Sequence, residues 1–243
     1  MHFYLLIIGT EILNGRREDK HFKFVQSELQ KYGHELFATF VVKDDKELLA
    51  NTLRLIKSDK KSVLFSFGGI GSTPDDLTRD IASNVFTNKP TVPHEQFTKD
   101  IIERFSDEAY PHRIYMAHLP ENSDLLFNPI NNMSGFSLQN RFFFTPGFPQ
   151  MAHPMIREVI RTKFNQSKEI FRYTLLAQTS ENSLITLMHK LPDNIELSSL
   201  PILNNNAPSV ELSLSSTNES ELKLYFNLFV NELKNTNTKY SLT

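Results

Sequence analysis

Glycines and acids lie unusually close together in one segment of this chain, residues 62–80, which reads SVLFSFGGIGSTPDDLTRD. Three of the chain's eight glycines, Gly68, Gly69 and Gly71, follow a short apolar run, and Thr-Pro-Asp-Asp comes next. Glycine allows backbone N–H groups to approach a phosphate, and a helix N-terminus favours the phosphate's negative charge. The segment therefore predicts a phosphate-binding turn between a buried strand, 63–67, and a helix.

A purely structural role for the same residues is an open alternative. Thr73 suits the N-cap of a helix, Pro74 its first position, and Asp75 and Asp76 its first turn. This pattern predicts a helix that begins at Thr73 and ends near residue 85. Capping does not account for the glycines that precede the cap, so we favour a functional role for the whole cluster.

Two other predicted strands also end in polar residues. Gly9, Thr10 and Glu11 follow the apolar run 3–8, and Asp44 and Asp45 follow a predicted strand at 35–43. In a parallel sheet the carboxyl ends of the strands share one edge. These residues can therefore converge with the predicted phosphate-binding turn at Gly68–Ser72, called the glycine turn below. Carboxylates that share a site need a cation between them, which predicts a divalent metal.

Among the converging acids, Asp76 is the best candidate for a ligand of the metal or of a water. It lies on the side of the predicted helix that points back towards the glycine turn. Asp44 suits two roles equally well, as a cation ligand or as the cap of a helix with Glu47 three residues later.

Strands that alternate with helices over the first two-thirds of the chain predict a parallel α/β sheet with right-handed crossovers. Further helices are expected at 19–32, after 44, up to 106 and at 150–163, with a hairpin around 139–140. The tail predicts a small α+β domain, with strands at 171–178, 195–200 and 209–214 and helices at 181–190 and 218–234. We expect domains at 1–166 and 170–235 and a frayed tail at 236–243.

Composition excludes several classes of protein. The formal net charge of −2 gives no electrostatic reason to expect nucleic acid or a membrane surface as a partner. The absence of cysteine excludes disulfides and thiolate chemistry, and the first apolar run is too short for a signal peptide or a membrane span. We expect a cytoplasmic protein. The Gly-x-Ser-x-Gly, phosphate-loop and Gly-x-Gly-x-x-Gly patterns are all absent, which disfavours a serine hydrolase, an ordinary ATPase or a dinucleotide oxidoreductase.

Several motifs together resemble one known family. They are Gly9-Thr10-Glu11-Ile12-Leu13-x-Gly15, Val42-x-Asp44-Asp45, Gly68-Gly69-Ile70-Gly71-x-Thr73-Pro74-Asp75-Asp76-Leu77-Thr78 and Pro146-Gly147-Phe148-Pro149-x-Met151. In this order they resemble the molybdopterin-binding (MoaB/MogA-like) domain family, in particular the branch found at the start of the competence/damage-inducible CinA proteins. The resemblance covers about residues 3–160, and the tail resembles the small domain that follows in that branch.

The resemblance implies a three-layer α/β/α fold with a mostly parallel sheet and a homo-oligomer, a dimer or trimer. The implied ligand is a molybdopterin-like pterin or a nucleotide that carries phosphate. The implied cation is Mg, Mn or Co. Asp45 and Asp76 match acids tied to catalysis or metal, with Asp44 beside them. The implied ligand-binding residues are Gly9, Thr10, Glu11, Gly68, Gly69, Gly71, Ser72, Thr73, Thr78, Pro146 and Gly147.

This sequence departs from the family pattern at several positions. Ser72 replaces the usual proline, Lys20-His21 replaces Thr-Asn, and Tyr115-Met116 replaces a basic-Gln pair. Two functions follow as alternatives. One is a metal-dependent pyrophosphatase acting on ADP-ribose-like nucleotide diphosphates. The other is a non-catalytic pterin- or nucleotide-binding protein linked to molybdenum cofactor biosynthesis. A structural or regulatory module is a third hypothesis.

Overall fold

The computed structural model describes residues 1–166, 169–204 and 207–242, and its contacts divide the chain into two compact units, residues 1–167 and 168–243. The strands of the first unit are β1 (His2–Ile8), β2 (Leu36–Val42), β3 (Ser62–Phe67), β4 (Val92–Pro93), β5 (His118–Leu119), β6 (Asp124–Leu126), β7 (Gly135–Leu138) and β8 (Phe142–Thr145). Its α-helices are α1 (Thr10–Leu13), α2 (His21–Gln30), α3 (Lys46–Ser58), α4 (Thr78–Thr87), α5 (Glu95–Phe105) and α6 (Pro149–Lys163), and two 3-10 helices lie at Ser106–Ala109 and Arg113–Ala117.

The principal sheet of this unit has the strand order β2-β1-β3-β8-β7-β6. The four strands β2, β1, β3 and β8 run parallel to one another, and β7 and β6 complete the sheet in antiparallel pairs. The predicted hairpin is confirmed: Gln139, Asn140 and Arg141 join β7 to β8, and the first two have positive φ angles of 55° and 52°. Two successive positive φ angles are typical of the tight turns that match the twist of a hairpin.

Helices cover both faces of this sheet. Tyr4, Leu6 and Ile8 of β1 belong to one apolar core, which α3, α4 and α5 complete. The alternate residues of β1 belong to a second core, which α2 and α6 complete. Because successive side chains of a strand point to opposite faces, β1 serves both cores at once. The predicted three-layer α/β/α fold is confirmed.

Helix α4 begins later than the sequence predicts, at Thr78 rather than Thr73. The Thr73 N–H and hydroxyl donate to the Asp76 carboxylate, and the Asp76 N–H donates to the Thr73 carbonyl. Residues 73–76 therefore close a turn of their own. The Thr73 hydroxyl donates to Asp76, whereas the side chain of an N-cap would accept from a backbone N–H. The Thr78 N–H donates to the Gly69 carbonyl at 2.9 Å, which starts the helix directly against the glycine turn.

The cap of α3 also falls on a different residue from the one predicted. Asp45, not Asp44, is the N-cap, and its carboxylate accepts from the Leu48 N–H at 2.8 Å. Asp45 has the extended backbone that a cap requires, with φ −123° and ψ 129°. The displacement by one residue leaves the Asp44 side chain available for another role.

The second unit is a four-stranded sheet with one long helix. Its strands are β9 (Phe171–Ala177), β10 (Glu196–Asn204), β11 (Ala207–Ser216) and β12 (Tyr240–Leu242), in the order β10-β11-β9-β12, and its α-helices are α7 (Ile185–Met188) and α8 (Glu219–Asn235). Its core includes Leu175, Leu212, Leu222 and Phe229, which confirms a small α+β domain.

Three details of this unit differ from the sequence prediction. The helix expected at 181–190 is a 3-10 turn, Glu181–Ser183, followed by the short α7. The loop expected at 204–208 is strand at residues 204, 207 and 208, and residues 205 and 206 lie outside the described residues. The tail expected to fray pairs with β9 as β12, because this edge of the sheet offers it free backbone partners. No helix within the described ranges is long and apolar enough to cross a bilayer.

Candidate functional site

A cavity of about 540 Å³ lies at the edge of the first unit's sheet where the four parallel strands end. Ligands of open α/β sheets bind at this edge, outside the carboxyl ends of the strands. Residues from the segments after β1, β2, β3 and β8 line it: Gly9, Glu11, Arg17, Asp44, Gly68, Gly69, Ile70, Gly71, Ser72, Thr73, Asp75, Asp76, Pro146, Gly147 and Phe148. The structure thus brings most of the predicted site residues together around one space.

The carbonyl groups of the glycine turn are all held from the side of α4. Thr78 donates its hydroxyl to the Gly68 carbonyl at 3.0 Å and its N–H to the Gly69 carbonyl at 2.9 Å. The Arg79 guanidinium donates to the carbonyls of Ile70 and Gly71. Four successive carbonyl oxygens are therefore fixed by the first two residues of one helix.

The N–H groups of the same turn are largely free. Gly68 donates its N–H to the Thr145 carbonyl at 3.0 Å. Across the described ranges of the chain, no acceptor receives the N–H groups of the next four residues, Gly69, Ile70, Gly71 and Ser72. These four residues line the cavity. Consecutive unpaired N–H groups in a turn can form a concave binding site for an anionic oxygen.

Two glycines of the turn are required by its geometry. Gly68 and Gly69 have φ angles of +105° and +68°, which side chains with a Cβ atom rarely adopt. A Cβ atom on Gly68 would overlap the Ile8 carbonyl, and one on Gly69 would overlap the Thr78 hydroxyl. The predicted importance of these glycines follows from close packing of the turn against β1 and α4.

Two of the four carboxylates that line this cavity, those of Asp44 and Asp76, each have one oxygen engaged by a threonine. Oδ2 of Asp76 accepts from the Thr73 N–H at 2.8 Å and from its hydroxyl at 2.7 Å. Oδ2 of Asp44 accepts in the same way from the N–H and the hydroxyl of Thr10, each at 2.9 Å. Within the described residues, Oδ1 of each acid has no hydrogen-bond partner. Both acids are thus oriented by threonines and keep one oxygen for a ligand.

Three predicted site residues do not line the cavity. Asp45, predicted as a catalytic acid and metal ligand, caps α3 instead. Thr10 positions Asp44, and the buried Thr78 holds the carbonyls of the glycine turn. Thr10 and Thr78 therefore support the site from behind.

The described residues contain no group of three or more histidine and acidic side chains arranged to hold a metal ion. The two free carboxylate oxygens of Asp44 and Asp76 still fit one type of site. Mg²⁺ is commonly bound through one or two carboxylates, with the substrate's phosphates and water as the remaining ligands. The donors present suit a cation that arrives with its ligand, rather than a cage made only of protein groups.

Two arginines that line the cavity, Arg17 and Arg113, were not predicted from the sequence. Arg17 lies over the Phe148 ring at 5.7 Å, and Arg113 over the Phe105 ring at 4.5 Å. Their ion pairs are partly exposed: Arg17 is 3.8 Å from Glu11, and Arg113 is 2.5 Å from Glu108. Neither arginine lies in a recognisable motif, and only the tertiary fold brings Arg113 to the glycine turn.

One wall of the cavity is apolar. It consists of Phe97, Phe105, Met116 and Met133, with Ile70 from the glycine turn. The nearby Asn131 side chain is already engaged, because its Oδ1 accepts from the Asn128 amide and from the Met133 N–H. This wall can pack against a flat ring, and methionine adapts well to such a surface. Met116 occupies one of the positions at which the sequence departs from the family pattern.

A pair of histidines supports the loop at Gly147. Nε2 of His21 lies 3.3 Å from the Gly147 carbonyl, and its Nδ1 lies 3.2 Å from Nε2 of His153. His21 also stacks on Phe67, and His153 stacks on Phe24. Burial lowers the pKa of His21, and burial together with the neighbouring His21 and Arg157 lowers the pKa of His153 to about 4. Both rings are therefore neutral near pH 7.

Comparison with known proteins agrees with the fold and the motifs. A family model described as "Probable molybdopterin binding domain" matches residues 4–166. A CinA-like protein of Desulfotalea psychrophila is 27% identical over 243 residues, which cover 93% of this chain and 57% of that protein. A CinA-like protein of Acaryochloris marina is 30% identical over 161 residues, 63% of this chain and 38% of that protein.

The chain thus spans little more than half the length of the Desulfotalea psychrophila protein. A solved structure, the protein CinA of unknown function from Thermoplasma acidophilum, is 22% identical and superimposes with a TM-score of 0.59. That match covers 66% of this chain and 96% of the other chain. At this identity the likeness supports the fold of the first unit.

Proposed function

The chain belongs to the molybdopterin-binding domain family, as a CinA-like member, and we propose on this premise that its cavity binds a pterin or a nucleotide through a phosphate or diphosphate group. One observation carries the proposal. Four successive N–H groups, from Gly69 to Ser72, have no partner within the described residues, and the residues that carry them line a cavity together with the acids and the apolar wall. Such a set of N–H groups fits the oxygens of a phosphate.

The two halves of the cavity suit the two halves of such a ligand. The turn N–H groups bind the phosphate oxygens, and the wall of Phe97, Phe105, Met116 and Met133 packs against the ring. The cavity volume of about 540 Å³ lies in the range of small-molecule sites. Arg17 and Arg113 lie at its border, where their guanidinium groups can meet further negative charge or stack on the ring.

A divalent cation would offset the negative charge of the acids that line the cavity. Four lining acids, Glu11, Asp44, Asp75 and Asp76, accompany two lining arginines, so the cavity carries net negative charge before an anionic ligand enters. A cation shared between the free oxygens of Asp44 and Asp76 and the ligand's phosphates offsets this repulsion. The metal role predicted for Asp45 is assigned in this proposal to its neighbour Asp44.

The reaction that fits this arrangement is hydrolysis of a nucleotide diphosphate such as ADP-ribose. Water attacks one phosphorus atom, the bridging P–O bond breaks, and the two products are nucleoside and sugar monophosphates. A bound divalent cation supplies charge stabilisation and a more acidic water. Asp44 and Asp76 hold that cation, and the turn N–H groups stabilise the charge that develops on the phosphoryl oxygens.

Thermal unfolding with ADP-ribose, FAD and ATP, each with and without Mg²⁺, Mn²⁺ or Co²⁺, tests binding first. We expect stabilisation that requires ligand and cation together, since a ligand that binds only the folded state raises the unfolding temperature. Release of AMP from ADP-ribose then tests hydrolysis. Stabilisation without release of AMP would indicate a binding protein without this activity. The absence of both stabilisation and product would contradict the proposal.

Three conservative variants separate the acids. Asp44→Asn and Asp76→Asn keep hydrogen-bond acceptors for Thr10 and Thr73 but lose the charge that holds a cation. Each should abolish the cation-dependent stabilisation. Asp45→Asn is the matched control, because asparagine caps a helix as well as aspartate does. It should behave as the wild-type protein. Loss of the cation effect in Asp45→Asn but not in Asp44→Asn would restore the role that the sequence predicted for Asp45.

A further inference from the structure

Arg79 is a buried cation directly behind the glycine turn. Only 8% of the residue is exposed, and its guanidinium donates to the carbonyls of Ile70 and Gly71. None of the ion pairs among the described residues includes Arg79. Burial lowers its pKa, and the charges of Asp76 and Asp80 act in the opposite direction. A guanidinium nevertheless stays protonated at neutral pH.

The hydrogen bonds alone do not require this charge. A neutral donor such as an amide can satisfy the two carbonyls, whereas a charged group without an ion-pair partner is costly to bury. The position of the charge suggests what it contributes. Its two acceptors are the carbonyls of Ile70 and Gly71, residues that line the cavity, so the guanidinium lies directly behind the backbone at which the proposed phosphate would bind.

We propose that Arg79 is a positioning residue that also sets ligand preference, because its buried charge makes the glycine turn favour diphosphates over monophosphates and uncharged ligands. This inference rests on the proposed function of the cavity. The attraction between two charges is stronger near protein than in bulk water, and it grows with the charge of the ligand. Arg79 thereby opposes the repulsion from Asp75 and Asp76, which line the same cavity.

A series of ligands with one ring and increasing charge tests this proposal. Dissociation constants for adenosine, AMP and ADP, measured by calorimetry at fixed Mg²⁺ and low salt, are compared in wild-type protein, Arg79→Lys and Arg79→Gln. Arg79→Gln keeps donors for the carbonyls and loses the charge. We expect it to weaken ADP about tenfold, AMP about threefold and adenosine not at all, a graded loss that follows from Coulomb's law. Arg79→Lys keeps the charge and should bind all three within about twofold of wild type.

A residue that only holds the turn in shape would give a different pattern. Equal weakening of all three ligands in Arg79→Gln, or equal weakening by lysine and glutamine, would overturn the proposal. A wild-type protein that binds neither AMP nor ADP would show that the proposed function itself fails, and the inference with it. If the wild-type protein binds both AMP and ADP and Arg79→Gln binds them with unchanged affinity, the inference about Arg79 is refuted while the proposed function stands.

Asp80→Asn supplies a second test that does not alter Arg79. Asp80 lies one residue further along α4, does not line the cavity, and accepts a hydrogen bond from the Thr91 hydroxyl at 2.9 Å. Its carboxylate is one of the two negative charges that act on Arg79. Removal of that charge should strengthen ADP binding about twofold and leave adenosine unchanged. Unchanged or weaker ADP binding would contradict the proposal, even if Arg79→Gln does not fold.

Discussion

The Asp44 carboxylate accepts hydrogen bonds from both the backbone N–H and the hydroxyl of Thr10, each at 2.9 Å. The contact joins the segment after β2 to the segment after β1, which are 34 residues apart in sequence. Two donors on one oxygen fix the direction of the carboxylate while its other oxygen stays free. The contact therefore serves the stability of the sheet edge and the orientation of a candidate ligand group at once.

Replacement of Thr10 by valine should affect both properties. Thr10→Val removes the hydroxyl and keeps the backbone N–H, so Asp44 loses one of its two donors. We expect the free energy of unfolding to fall by about 1 kcal/mol, the usual value of one hydrogen bond. The affinity for ADP-ribose with Mg²⁺ should fall several-fold, measured by calorimetry. Thr10→Ser keeps the hydroxyl and is the control. Unchanged affinity in the valine variant would show that Thr10 does not orient a ligand group.

The backbone of the glycine turn allows a comparison between two glycines of similar conformation. Gly69 and Gly15 have φ angles of +68° and +75°, but only at Gly69 would a new Cβ atom overlap a neighbour, the Thr78 hydroxyl. Gly15→Ala should lose about 1 kcal/mol of stability from backbone strain alone. Gly69→Ala should lose roughly 3 kcal/mol, because strain and overlap add. Urea unfolding measures both, and equal losses would contradict the close packing of the turn.

Ser66 in β3 is expected to reduce stability. Within the described residues, its hydroxyl is the buried side-chain polar atom that lacks a hydrogen-bond partner. Ser66→Ala removes an unsatisfied polar group and should raise the free energy of unfolding by about 1 kcal/mol. The buried Ser62, four residues earlier, is the matched control, because its hydroxyl accepts from Arg141 at 2.8 Å. Ser62→Ala should lose about 1 kcal/mol. If Ser66→Ala instead lowers the free energy of unfolding, this hydroxyl has a hydrogen-bond partner in solution.

The histidine pair predicts a loss of stability in acid. The pKa of His153 is about 4 in the folded chain and about 6.5 when unfolded, so between these values the unfolded chain binds more protons. Stability from this group is therefore complete above pH 6.5 and falls as the pH drops towards 4. The full shift corresponds to about 3 kcal/mol, which partial exposure reduces to roughly 2 kcal/mol.

His153→Gln should remove most of this pH dependence, since glutamine does not titrate. Urea unfolding at pH 7 and at pH 4.5 measures the difference. The exposed His112 provides the control, and His112→Gln should retain the wild-type dependence. If His153→Gln and wild-type protein lose stability equally between the two pH values, His153 is not buried as neutral imidazole.

Local chemistry made much of the fold and the glycine turn predictable. The turn at Gly68 and Gly69 was predictable from residue type, because the positive φ angles that it needs are rarely adopted by residues other than glycine. Most residues of β3 are apolar because helices cover both faces of that strand. The hairpin at Gln139 and Asn140 was predictable for the same reason, because strand patterns on both sides bounded a two-residue turn.

The remainder depended on contacts between distant parts of the chain. Asp44 and Asp45 are adjacent and chemically identical, and only the direction of the chain after β2 decides which of them caps α3. Arg113 reaches the cavity because a 3-10 helix folds back to the strand ends, and no local pattern marks that return. The C-terminal strand β12 is only three residues long, and its pairing depends on the free edge of β9.

The direct test of the central claim is the response of individual backbone amides to a ligand. In ¹⁵N–¹H spectra with Mg²⁺ present, addition of ADP-ribose should shift the amide signals of Gly69, Ile70, Gly71 and Ser72 more than others. The Gly33 amide, which already donates to the Gln30 carbonyl at 3.1 Å, is the internal control and should not move. Saturable shifts of the four turn amides are the predicted result. Binding that leaves these four signals unchanged, or no binding at all, would contradict the assignment of this turn as a phosphate site.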